Sequence, residues 1–146
     1  MGGPIKMKAN SYERQVMTMA DEKIMMVMIA VTDMAKAKAF YAEQLGFQVT
    51  IDYGQGDQHW VTLELPGGGA TLTLSTLHGN MKPGTMRLYL ATSDIEAAHN
   101  ELKAKGARVN DVKDDLYGPG SGVKWFDLHD PDGNEWIVAQ SEHGPR

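Results

Sequence analysis

Hydrophobic and polar positions along this chain follow two rhythms, and the pair of rhythms occurs twice. Residues 24–31 are almost all apolar, as in a strand packed on one face and lining something with the other. Asp33 then stands where a helix cap belongs. Ala37, Phe40, Tyr41 and Leu45 follow at helical spacing, with Lys36, Lys38 and Glu43 facing outward. Gly46 offers the left-handed residue that ends such a helix. Three strand-like stretches come next, at 47–53, 60–65 and 70–76. The turn sequences Gly54-Gln55-Gly56-Asp57 and Pro66-Gly67-Gly68-Gly69 separate them.

The pattern restarts at 86–91. Ser93 and Glu96 have the spacing of a capping box, Ile95, Ala98 and Leu102 form the buried stripe, and Gly106 closes the helix. Strands are expected at 108–112, 123–128 and 135–140. Asp130-Pro131-Asp132-Gly133-Asn134 joins the last two, with proline presetting one turn residue and Gly and Asn tolerating positive φ. The order is strand, helix, three strands, and then the same again. A repeat at roughly 60 residues marks a duplicated supersecondary unit. The expected fold is therefore α+β, with two βαβββ modules forming a curved mixed sheet around a concave cavity. Residues 1–23 read as a polar N-terminal extension, and 24–142 as one domain made of modules 24–80 and 84–142.

The Val-Thr-Asp and Thr-Ser-Asp junctions, Phe40-Tyr41 with Leu45-Gly46-Phe47, and the Asp130–Asn134 turn together resemble the vicinal oxygen chelate superfamily. That superfamily contains glyoxalase I, extradiol dioxygenases, fosfomycin-resistance enzymes and bleomycin-resistance binding proteins. The resemblance implies the paired-module fold, a small-molecule site on the concave side and a homodimer. It also implies a divalent metal held by His, Gln or Glu at four equivalent strand positions in most of the enzymes. In this chain those positions hold Met26, Thr73, Arg87 and Ile137. A thioether, a hydroxyl, a guanidinium and an alkyl group are poor ligands for a hard or borderline cation, and Arg87 repels one. No metal and no cofactor are expected. His59, His78, His99, His129 and His143 show no ligand spacing and read as solvated side chains.

Strand alternation then sorts the side chains. If Arg87 faces the cavity, so do Tyr89 and Ala91; Met28 and Ala30 accompany Met26. Core-like Val61 and Leu63 turn Trp60, Thr62 and Glu64 to the same side, and Phe126 and Leu128 do this for Trp125 and Asp127. The candidate ligand-binding residues are Met26, Met28, Trp60, Thr73, Arg87, Tyr89, Trp125, Asp127 and Ile137. Soft apolar walls, indoles, a phenol and a few charges suit an aromatic or amphipathic organic molecule. Plainer readings stand beside this one. The methionines fill core space, the tryptophans meet a second subunit, or Arg87 forms a structural ion pair with Asp127 or Glu64.

Two functions follow. The first is a metal-free binding protein of the bleomycin-resistance type, sequestering an organic, antibiotic-like ligand. The alternative is a lyase or dioxygenase of the same superfamily with a divergent or metal-free site; its catalytic residues stay unassigned. Composition narrows the field further. With 146 residues, 42% hydrophobic and 23% charged, the chain has enough apolar content for one core. The absence of cysteine removes disulfides, thiol nucleophiles and zinc-thiolate sites. A net charge of -5 without basic clusters argues against nucleic acid. No apolar run has transmembrane length, and no secretion signal opens the chain, so a cytoplasmic protein without membrane partners is expected.

Overall fold

The computed structural model describes residues 20–141, so most of the expected extension and His143 lie outside the described residues. Strand β1 (Met26–Ala30) leads to Asp33, whose side chain accepts the Lys36 backbone N–H at 3.1 Å and caps helix α1 (Met34–Lys38). The helix widens into a π-helical turn at Ala39–Gln44, where the Leu45 N–H reaches the Phe40 carbonyl at 2.9 Å. Both neighbours Phe40 and Tyr41 are buried there. Strands β2 (Gln48–Gln55), β3 (Gln58–Glu64) and β4 (Thr71–Ser75) complete the first module. The second contains β5 (Arg87–Thr92), helix α2 (Ile95–Ala104), β6 (Trp125–His129) and β7 (Glu135–Gln140).

The class is α+β. One mixed sheet has the order β1-β4-β3-β2 and the other β5-β7-β6, with β1/β4 and β5/β7 parallel and the remaining pairs antiparallel. Among the described residues no strand pair joins the two sheets. Their apolar rows, Ile29-Leu74-Val61 in one and Leu90-Val138-Phe126 in the other, are packed against the helices. Buried residues of both modules form a single core.

The motifs quoted for the two modules are bonded to each other. Tyr41 Oη donates to Asp130 at 2.5 Å and accepts from Trp136 Nε1 at 3.0 Å. Asp130 also accepts from the backbone N–H groups of Asp132 and Asn134 and from Asn134 Nδ2. Thr32 Oγ1 donates to Asp132 at 2.6 Å, and Asn134 Oδ1 holds the Met86 N–H. The Asp130–Asn134 turn thus fastens its own hairpin, the entry to β5 and the α1 region of the other module. Such buried polar groups are tolerated because each finds a partner.

Three local expectations change. Asp94, not Ser93, caps α2, accepting the Ala97 N–H at 3.0 Å, while the Ser93 carbonyl accepts from Gln140 Nε2. A carboxylate satisfies the free donors and complements the positive helix end better than a hydroxyl does. Residues 108–112 form no strand. Asn110 bonds to Asp127 through backbone and side chain, and only Lys113 bridges to Trp125, so three residues run beside two and break the ladder. In β2 the pairing slips between Val49 and Ile51, a bulge that the expected strand did not include.

Candidate functional site

The faces of the two sheets away from the helices carry every residue proposed from strand alternation. On the first sheet the cross-strand rows are Met28-Thr73-Thr62-Ile51 and Ala30-Ser75-Trp60-Tyr53. On the second they are Arg87-Glu135-His129, Tyr89-Ile137-Asp127 and Ala91-Ala139-Trp125. Met26, Trp60, Trp125 and Asp127 are half-buried, Ile137 is buried, and Tyr89 is 61% exposed.

Ile51 and Tyr53 join this face only because of the bulge. Without the slip at Thr50 they would share the side of Val49, which packs against the core. Asp52 confirms the register by pointing the other way, where Lys38 of α1 donates to it at 2.5 Å and His59 approaches at 2.6 Å. The Lys38 hydrogen bond, and after it that of His59, holds the Asp52 carboxyl below the usual range. Ile51 and Tyr53 are 51% and 72% exposed, large apolar groups missing from the sequence-derived lining. The Thr50-Ile51 pair was the available signal, but a bulge has no firm sequence signature.

A chain of hydroxyls stiffens the first sheet. Trp60 Nε1 donates to Thr62 Oγ1 at 3.2 Å, Thr62 and Thr73 share a 3.0 Å hydrogen bond, and Thr73 Oγ1 contacts Met26 Sδ at 3.3 Å. The indole edge of Trp60 is thereby fixed, and rotational freedom that a ligand would otherwise have to freeze is already spent. On the second sheet Arg87 Nε donates to Glu135 at 2.6 Å, replacing the expected Asp127 or Glu64 as its ion-pair partner. The Glu135 hydrogen bond is the main cause of the raised Arg87 pKa. Trp125 donates from Nε1 to Asp115 at 2.9 Å, and Lys113 Nζ sits 4.9 Å from its ring centroid. One indole face is therefore occupied by a cation.

The four positions implied for a metal do not fit one. Thr73 is fully buried in its hydroxyl chain, and Met26 and Ile137 offer sulfur and carbon. Arg87 is a bound cation. Among the described residues no three His, Cys, Asp or Glu side chains converge as ligands. The histidines differ from the solvated reading: His78 Nε2 lies 2.7 Å from the Val31 carbonyl, and His99 packs edge-on against Phe126. Those contacts use them in the scaffold. No helix among the described residues is long and apolar enough to cross a membrane.

Comparison with known proteins agrees with this architecture. A sequence profile of the Glyoxalase/Bleomycin resistance protein/Dioxygenase superfamily matches residues 23–138, and the chain belongs to that superfamily. Similar solved structures include TnmS3, an antibiotic binding protein from Streptomyces sp. CB03234. It is 29% identical, with a TM-score of 0.68 over 84% of this chain and 98% of the other. A glyoxalase/bleomycin resistance protein from the same organism is 30% identical, with a TM-score of 0.66 over 80% and 99% of the two chains. An uncharacterized protein of Mycolicibacterium smegmatis (strain ATCC 700084 / mc(2)155) is 31% identical over 91 residues, 62% of this chain and 73% of that protein.

Proposed function

We propose that this protein is a metal-free small-molecule-binding member of the superfamily, sequestering an aromatic or amphipathic organic ligand of the antibiotic-like kind. The observation that carries the reading is the helix-free face itself. The positions where the enzymes keep metal donors hold Met26, Thr73, Arg87 and Ile137, and aromatic side chains surround them. Trp60, Tyr89 and Tyr53 offer rings for stacking, while Arg87, Glu135 and Asp127 supply few but oriented polar groups. The similarity to an antibiotic binding protein supports the same reading. A second copy of the chain completes the site, since Ile51, Tyr53 and Tyr89 remain 51–72% exposed in one chain.

Titration with a panel of planar aromatic antibiotics, followed by tryptophan fluorescence and calorimetry, tests the proposal. A saturable response is expected for at least one compound, unchanged by a metal chelator. Trp60→Ala should weaken it by about tenfold, the loss typical of a stacked anchor. A response abolished by the chelator, or none across the panel, would overturn the reading.

A further inference from the structure

The opposite side of the sheets, where the two modules meet, holds a cleft of about 530 Å³. Leu65 and Leu90 form its walls with Leu102 and Val138, and Gly67, Gly68, Ala97 and Ala98 leave the space open because their side chains are small or absent. Its volume lies within the ordinary range for small-ligand sites. The polar side chains of the lining are Thr92, Asp94 and Glu101, and no lysine, arginine or histidine is among them. Apart from the Thr92 hydroxyl, which also donates, a ligand here meets acceptors and must bring the donors.

The two carboxylates are not equivalent. Asp94 is committed to the Ala97 N–H as the cap of α2. Glu101 lies in the last turn of α2, at the negative end of the helix dipole, and its described partner is Lys105 at 3.2 Å across an exposed surface. An exposed pair of this kind is weak and gives way readily to a competing cation.

We propose that the cleft is a second binding site, separate from the helix-free face, for an amphipathic organic cation. Its alkyl or aryl body lies between Leu65, Leu90 and Leu102, and its ammonium group sits at Glu101. The cleft shares only Ala91 with the rows of the aromatic face and none of its rings, so the two sites are loaded independently.

Heteronuclear NMR titration of the full chain with octylammonium, octan-1-ol and octanoate tests this. Octylammonium is expected to shift the amides of Leu90, Ala98 and Leu102 saturably, with affinity about fivefold above octanol and higher still above octanoate. Ala98→Trp fills the cleft and should abolish saturation. Glu101→Gln, at the solvent-facing rim of the cleft, should keep octanol binding and erase the preference for the amine. Equal affinity for the three probes, or shifts clustered at Tyr89 and Trp125, would overturn the proposal. Removal of residues 1–19 that shifts the same cleft amides without any probe would assign the space to the chain's own N-terminus instead, and overturn it as well.

Discussion

At Tyr41, burial pushes the phenol well above its usual pKa, and the neighbouring Asp130 carboxylate adds to the effect. A raised value means that the folded state holds the proton more tightly than the unfolded chain. The associated stability is complete below the unfolded value of about 10 and is lost as pH climbs beyond it. Denaturant midpoints measured from pH 8 to 11 should therefore fall steeply above pH 10. In Tyr41→Phe the fall should flatten, but the variant should be about 1–3 kcal/mol less stable at pH 7, because the Asp130 and Trp136 partners lose their hydrogen bond. An unchanged alkaline profile in Tyr41→Phe would sink the assignment of that limb to this phenol.

At the level of elements, turns that demand glycine divide into two kinds. Gly84, before β5, has φ +79°, and a β-carbon there would stand 2.2 Å from the Asp132 carbonyl oxygen. Gly69, before β4, has a similar φ of +84° and open space around it. Urea unfolding should show Gly84→Ala losing about 2–3 kcal/mol and Gly69→Ala about 1 kcal/mol, the difference being the backbone collision. Equal losses would mean that the Asp130–Asn134 turn moves aside freely. Much of the element plan was legible because it rests on local signals: Asp33 before α1, the glycines that end the helices, and alternation in β1, β3 and β5. Features decided by two partners were not. The ladder beside β6 fails through Asn110 bonding to Asp127, and the shift of the cap from Ser93 to Asp94 rests on one residue of register. Which side a residue of β1, β3, β5 or β6 faces follows from alternation alone, yet Ile51 and Tyr53 escaped because the slip at Thr50 exists only in the pairing of β2 with β3.

For the whole molecule, two small sheets joined through one core leave large apolar side chains uncovered on the helix-free face. Closed twofold pairing is the common way for such a surface to be covered. Sedimentation velocity should give twice the chain mass of 16.0 kDa, and Tyr53→Glu combined with Tyr89→Glu should return the single-chain value without unfolding. A wild-type protein that sediments as a single chain at all concentrations would rule out the second copy as part of the site. The Tyr41–Asp130 hydrogen bond would survive this dissociation, since it lies within one chain.

The slip at Thr50 also decides the chemistry of the helix-free face. Side chains in a strand alternate, so a shift of pairing by one residue exchanges the two sides of everything that follows. Were Thr50 instead taken into the ladder opposite Thr62, every later residue of β2 would shift by one place: Ile51 and Tyr53 would turn toward α1 and Asp52 would come out, leaving Lys38 and presenting its carboxylate on the helix-free face. Deleting Thr50, by contrast, would close the bulge and leave Ile51 and Tyr53 where they are. The pairing of β2, as much as its composition, decides whether that face is oily or acidic.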